Sequence, residues 1–313
     1  MCASGHTWTT RVYGRGTKGT GCPDCSARQF VSSGEREIVE YLHQFFSENE
    51  VQTSVRSLRK HGIGELDIYL PEKNIAIEVN GVYWHSEAAG KSASYHLEKY
   101  EACQALGIRL IQIWEDDWTY RRDIVERMLA HKLGVSQEPV IAARKTTATA
   151  IDKAEAQQFL GANHIQGWVR GSLYLGLRHG EELVAVMVLT YSNNEARLER
   201  YATCARVPGG QSKLLAYAER VRPWTRLITF ADHEVSDGNL YEKTGWTAEK
   251  VLRPDYRYVV GGRRVHKFNY RLARFRSDPN LEYVEGLSER ELAALNKLHR
   301  VWDSGKTRYV KTV

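Results

Sequence analysis

Apolar and polar positions alternate along the chain in two rhythms. From Ser33, a residue able to cap a helix, Ile38, Val39, Leu42, Phe45 and Phe46 recur at helical spacing. Glu65–Leu70 and Ile75–Asn80 then read as two short strands joined by a Pro71–Asn74 turn. Residues 92–106 predict a helix stopped by Gly107, Ile108–Trp114 a strand, and Trp118–Leu133 a helix ending before Gly134. This order predicts a small mixed sheet with helices on its faces. Residues 135–140 read as a linker to a second domain. There Asp152–Leu160 is helical, and Leu173–Leu177 and Leu183–Thr190 are strands around a His179-Gly180-Glu181 turn. Gln211–Val221 is a helix opened by Gly209-Gly210, Leu227–Ala231 a strand, and Asn239–Thr244 a short helix ended by Gly245. Residues 1–30 differ from all of this: rich in Gly, Thr, Lys and Arg, they cannot build an apolar core.

A length of 313 residues suits two domains and a small module. With 42% hydrophobic and 26% charged residues, the composition is that of a globular protein. No run of 18 apolar residues is present, so no membrane span is expected, and no apolar leader follows Met1. A reducing, cytoplasmic setting is the expectation.

The net charge of +6 leans toward a polyanionic partner. The charge is also uneven. Between Leu252 and Phe275, Arg253, Arg257, Arg263, Arg264, Lys267, Arg271 and Arg274 face only Asp255, with Tyr256, Tyr258, Phe268 and Tyr270 among them. Such a stretch can bind phosphates and stack on unpaired bases, or it can be a solvated basic edge strand.

Of five cysteines, Cys103 and Cys204 stand in apolar surroundings. The others cluster early: Cys2 and His6, then Cys22-Pro23-Asp24-Cys25. Four such side chains can hold a structural zinc ion in a tetrahedron, and the alternative is a redox-active Cys-x-x-Cys. The set Cys2, Gly5, His6, Trp8, Gly21, Cys22 and Cys25 resembles a zinc ribbon often joined to phage and bacterial nucleases. The resemblance implies Cys2, His6, Cys22 and Cys25 as zinc ligands.

A second constellation lies in Glu65-Leu66-Asp67 and Glu78-Val79-Asn80-Gly81, ending at Trp84-His85. Two carboxylates on neighbouring strands, Asp67 and Glu78, could hold Mg²⁺ or Mn²⁺ at a phosphodiester. Glu78 and Asn80 share one face of a strand expected to be central, and His85 just beyond can move a proton near neutral pH. The other reading is an exposed polar face. Residues 33–118 resemble the very-short-patch-repair group of the restriction-endonuclease-like superfamily. The match runs through Glu35, Asp67, Glu78, Asn80, Trp84-His85 and Gly107–Glu115. This implies metal binding at Asp67, catalysis at His85 and a part in the site for Glu35. The wider pattern, with Tyr95-His96 and Lys99, looks like phage-borne nucleases, including homing endonucleases, and His96 and Lys99 could meet phosphate.

In residues 141–275, Leu183–Thr190, Leu198–Tyr201, the stretch Arg206–Lys213 and the run Asp237-Gly-Asn-Leu-Tyr241-Glu-Lys-Thr-Gly245-Trp246 resemble the acyl-CoA-dependent N-acetyltransferase fold. There, backbone N–H groups at a helix N-terminus bind a pyrophosphate, which implies a cofactor role for Gly209 and Gly210. Together these readings predict an α/β protein with a zinc ribbon (1–30), a nuclease core (31–135), an N-acetyltransferase-like domain (141–275) and a tail (276–313). The expected function is Mg²⁺-dependent cleavage of double-stranded DNA, as a phage-encoded homing-type endonuclease in the host cytoplasm. Arg257, Arg263, Arg264, Lys267 and Arg271 would help hold the DNA. The alternative is a DNA-modifying acyltransferase whose nuclease-like part only binds.

Overall fold

The computed structural model describes residue 7 and residues 32–312, in two compact units, residues 1–51 and 52–313. The expected zinc ligands Cys2, His6, Cys22 and Cys25 lie outside the described residues. In the first unit, α1 (Ser33–Leu42) starts one residue earlier than the pattern suggested. Ser32, in extended conformation, accepts the Glu35 N–H at 3.0 Å and takes the capping role expected of Ser33. Ile38 and Leu42, four residues apart, are fully buried, which explains the helical spacing.

The second unit is mixed α/β and begins with a four-stranded sheet. It runs β1 (Gln52–Val55), β2 (Leu66–Leu70), β3 (Ile75–Asn80) and β4 (Arg109–Trp114) in spatial order. The first two pairings are antiparallel and β3–β4 is parallel, with α2 (Tyr95–Ala105) carrying the crossover. β3 is buried at all its positions, polar Glu78 and Asn80 included. The single helix expected at 118–133 is two, α3 (Glu115–Tyr120) and α4 (Arg122–Leu133). Arg121, with φ −141°, breaks them and sends its side chain to the Ile165 carbonyl. The 135–140 stretch is also more ordered than a linker: backbone hydrogen bonds tie Pro139 and Ile141 to Arg206 at 3.0 and 2.9 Å.

A seven-stranded sheet follows. Its strands are β5 (Thr147–Ala150), β6 (Leu173–His179), β7 (Glu182–Ser192), β8 (Glu195–Thr203), β9 (Arg226–Asp232), β10 (Thr247–Leu252) and β14 (Lys306–Thr312). Their spatial order is β10-β14-β9-β8-β7-β6-β5. Helices α5 (Lys153–Asn163), α6 (Gly210–Val221) and α7 (Asn239–Lys243) connect them. The core is aliphatic, built on Leu175, Leu177, Met187, Leu189, Leu198, Leu214 and Leu227, and closed by Trp224, Trp246 and Tyr309. Residues 306–312, read as part of a tail, enter this sheet between β9 and β10. The polar string Lys-Thr-Arg-Tyr-Val-Lys-Thr hides that place.

Between β10 and β14 the chain makes a three-stranded sheet of β12 (Arg263–His266), β11 (Tyr256–Val260) and β13 (His299–Trp302). Helices α8 (Leu272–Ser277) and α9 (Glu289–Leu295) back it, and Tyr258, Phe275, Leu292 and Ala293 form its own small core.

The four- and seven-stranded sheets meet through polar contacts. The Gln112 N–H on edge strand β4 donates to the Glu234 carbonyl at 2.7 Å, Trp114 Nε1 donates to the Glu234 carboxylate at 2.7 Å, and Tyr100 stacks on His233 at 4.5 Å. An edge strand covered in this way offers no template for aggregation. Among the described residues no helix is long and apolar enough to cross a membrane.

Candidate functional site

Two polar regions compete for the chemistry. The first surrounds Asp67 and Glu78. The β2–β3 ladder runs as far as Ile68 opposite Ile77, and beyond it side chains replace backbone partners. Asp67 Oδ2 accepts the Val79 N–H at 2.9 Å, and Glu78 Oε1 accepts the Asp67 N–H at 3.2 Å. The other Glu78 oxygen is ion-paired with the Lys99 ammonium, brought over from α2. Each carboxylate thus satisfies a backbone donor that the parting strands leave open. One ammonium faces two buried acids. Burial and then the Asp67 charge push Glu78 up to about 8, and burial raises Asp67 as well. Burial pulls Lys99 down, but Glu78 and Asp67 outweigh it, and the net direction is up.

The remaining residues of that constellation extend the network. Asn80 Nδ2 donates to Gln112 Oε1 at 3.1 Å, and Gln112 in turn donates to Ser304 Oγ. His85 stacks on His96 at 5.1 Å. Burial, followed by the nearby lysines, lowers His85 to about 4, so its ring is neutral near pH 7. Burial also lowers His96 to about 3. Glu35 belongs to the first unit, in the first turn of α1. One oxygen of Asp67 and one of Glu78 accept backbone N–H groups, and the Lys99 ammonium holds the other Glu78 oxygen. Among the described residues, no three His, Cys, Asp or Glu side chains stand together as a metal site.

The residues expected to hold DNA are scattered. His96 is buried, and Lys99 is committed to Glu78. The Arg264 side chain is only 4% exposed; it reaches Asp116 at 2.8 Å, meets Asp117, and lies 3.9 Å from Glu234. It ties the small sheet to α3 and is closed to phosphate. Lys267 pairs with Asp255, and Arg271 pairs with Glu289 at 3.1 Å. Arg257 and Arg263 are different. Neither makes an ion pair or hydrogen bond to another described side chain, and Arg263 lies over the Tyr120 ring at 3.6 Å.

The second region is a cleft of about 1010 Å³ on the seven-stranded sheet. Its origin is a divergence of strands. β8 and β9 run parallel and pair through only three residues, Glu195–Arg197 with Arg226–Ile228. Thr229 Oγ1 then bridges to the Leu198 carbonyl at 3.1 Å, and past it the strands separate. Glu199, Arg200 and Tyr201 line one side, Phe230 and Asp232 the other. Gln211, at the start of α6, lies at the floor, and Arg257, Arg263 and His266 form a far wall. Gly209, with φ +78°, turns the chain into α6 in a backbone conformation that suits glycine. A Cβ on Gly210 would lie 2.6 Å from Tyr201 Oη, so only glycine fits under that phenol. Leu198–Tyr201 on β8 belonged to the acyltransferase resemblance read in the sequence, and Arg257 and Arg263 to its basic stretch; Phe230 and Asp232 on β9 were not singled out.

No family model and no curated protein matches the chain. Solved structures do. The ribosomal-protein-S18-alanine N-acetyltransferase from Escherichia coli matches at 13% identity, covering 54% of this chain and 94% of its own, with a TM-score of 0.33. A Bacillus subtilis acetyltransferase in complex with CoA matches at 12% identity, covering 54% and 99%, with a TM-score of 0.33. A GNAT family acetyltransferase from Elizabethkingia anophelis with acetyl-CoA bound matches at 13%, covering 54% and 99%, with a TM-score of 0.32. The expected phage-encoded, homing-type Mg²⁺-dependent DNA endonuclease is corrected on these findings. The matching structures are acetyltransferases, and in this structure the acid pair offered for Mg²⁺ bonds to backbone N–H groups and to Lys99.

Proposed function

We propose that the chain is an N-acyltransferase that modifies DNA, working in the cleft between β8 and β9. The observation that carries this reading is the short parallel pairing. Three residue pairs join strands of nine and seven residues, so the remaining edges face the cleft without ladder partners. An extended, amide-bearing arm can take up such backbone groups as an added strand does. Gln211, in the first turn of the 12-residue helix α6, lines the same cleft, so the positive end of that helix stands near it, suited to the phosphates of a coenzyme.

Bound acyl-CoA would supply an acyl carbon activated as a thioester. The chain's own residues would position the acceptor amine and remove its proton. Glu199 and Asp232 stand on the two diverging strands and are the carboxylates placed for this. Asp232 is held by Gln166 Nε2 at 2.6 Å and by the Glu234 N–H at 3.2 Å. The amine nitrogen bonds to the acyl carbon, the carbon–sulfur bond breaks, the amine proton goes to a carboxylate, and the sulfur leaves as thiolate.

The test is calorimetric binding of acetyl-CoA to the full chain, wild type against Ser212→Glu. Ser212 is exposed in the first turn of α6, where an acid favours the helix but repels a pyrophosphate. Acetyl-CoA is expected to bind wild type, with Kd raised at least about tenfold in the variant, the scale of one added like charge near the ligand. Absence of binding to wild type would overturn the proposal.

A further inference from the structure

The small sheet β12-β11-β13 has two faces of opposite character. Tyr258 points into the small core with Phe275 and Leu292. By strand alternation and the pairing of Arg257 with His266 and Val259 with Arg264, the opposite face carries Arg257, Arg264 and His266, all of which line the cleft. Asp116 and Asp117 absorb the Arg264 charge. Arg257 has no ion pair or hydrogen bond among the described residues, though it sits in a wall of the cleft. At the rim two aromatic rings stand in solvent, each with a cation on it. Tyr120 is 53% exposed with Arg263 at 3.6 Å, and Phe268 is 59% exposed with Arg271 at 4.4 Å. Arg271 is paired with Glu289, but Arg257 and Arg263 have no ion pair among the described residues, and flat rings beside such guanidinium groups suit a polyanion that carries flat rings of its own.

We infer that this wall admits an unpaired stretch of nucleic acid, its phosphates at Arg257 and Arg263 and its bases against Phe268 and Tyr120, so that a base amine enters the cleft. The inference rests on the acyl-transfer reading and names its acceptor: the exocyclic amine of an unpaired base. A cavity of about 1010 Å³ is of ligand size and excludes a duplex. A base inside a helix keeps its amine in the base pair, so a chain acting on it must receive it unstacked. The transfer step is the one above, with the base nitrogen as nucleophile.

The experiment is fluorescence anisotropy of the full chain with labelled single strands of roughly 12 nucleotides, the span of one single-strand site. Oligo(dC), oligo(dT), oligo(rC) and a duplex of equal length are the probes, with mass spectrometry after incubation with acetyl-CoA. The single strands are expected to bind at least about tenfold tighter than the duplex, with the two sugars separating DNA from RNA. Arg257→Glu should weaken binding by about tenfold or more, Phe268→Ala by about fivefold or more, and Arg257→Lys should keep most of it. Oligo(dC) should gain acyl mass, and oligo(dT), which has no exocyclic amine, should bind without gaining it. Equal binding of duplex and single strand would overturn the inference. So would Arg257→Glu and Phe268→Ala variants with unchanged melting temperature that bind like wild type. Single-strand binding without acetyl-CoA binding would keep the nucleic-acid wall and sink the transfer reading. Acetyl-CoA binding without single-strand binding would do the reverse.

Discussion

The acid pair on β2 and β3 and the cleft between β8 and β9 are both places where two strands part, and they resolve the parting differently. At Asp67 and Glu78, side chains close the gap: carboxylates take the freed N–H groups and Lys99 balances part of the charge. At β8 and β9 a single threonine bridges the first step, and the rest stays open to a cavity with an uncommitted arginine in its wall. Both regions carry carboxylates, basic groups and aromatic rings, so composition does not separate them. The difference lies in whether polar groups already have partners. Where carboxylates close a strand junction the contacts add rigidity, although Asn80 Oδ1, His85 Nδ1 and His96 Nε2 nearby are buried without a partner; a junction left open can take a ligand.

Three variants sharpen that contrast. The largest effect is expected at Arg264, which belongs to the closed kind although its hairpin faces the cleft. Arg264→Met removes the buried cation that Asp116, Asp117 and Glu234 share. Urea unfolding should show a loss of about 3–5 kcal/mol, as when one partner of a buried ion pair is removed. A loss below about 1 kcal/mol would place Arg264 among the open residues.

Glu78 gives a middling effect with a signature in pH. Its folded value of about 8 lies above the ordinary 4.5, so its contribution to stability is full below about pH 4.5 and is lost as pH rises through 8. Wild-type melting temperature should therefore decline across that window, and Glu78→Gln should flatten the decline. A slope unchanged in the variant would show that Glu78 ionises as an ordinary carboxylate.

The smallest effect is expected at Arg271. Its pair with Glu289 is half exposed, and Arg271→Ala should change stability by no more than about 0.5 kcal/mol in the same urea experiment. A larger loss would mean that the hairpin's rim is built for strength.

Legibility in the sequence followed burial. β3, β4, β6, β7 and β9 carry apolar runs because both of their faces are covered, and their positions could be read with errors of a few residues at each end. β1, β5, β10 and β14 could not. β10 is exposed at nearly every position, and β14 alternates charge with Thr, Tyr and Val, so neither has the apolar signature of a strand. The shared direction of Glu78 and Asn80 was visible from alternation. That Glu78 meets Lys99, 21 residues on, and that Arg264 meets Asp116, 148 residues back, was not. Those contacts depend on how helices and sheets dock, which no local pattern encodes.

The insertion of β14 also sets an order in time. Among the described residues β10 hydrogen-bonds to no strand but β14, and β9 has β14 along its whole length. While the chain is being made, β5 to β9 can assemble as a partial sheet, but β9 keeps a bare edge and β10 has nowhere to dock. The segment emerging meanwhile is the three-stranded sheet that walls the cleft. It must form its own small core around Tyr258 and Phe275 before the final strand arrives. Residues 306–312 then act as a zipper, sealing β9, anchoring β10, and fixing both ends of the wall in one step. A chain lacking those seven residues would leave β9 with a bare edge and β10 without a partner, and so present an unfinished sheet to any partner it met.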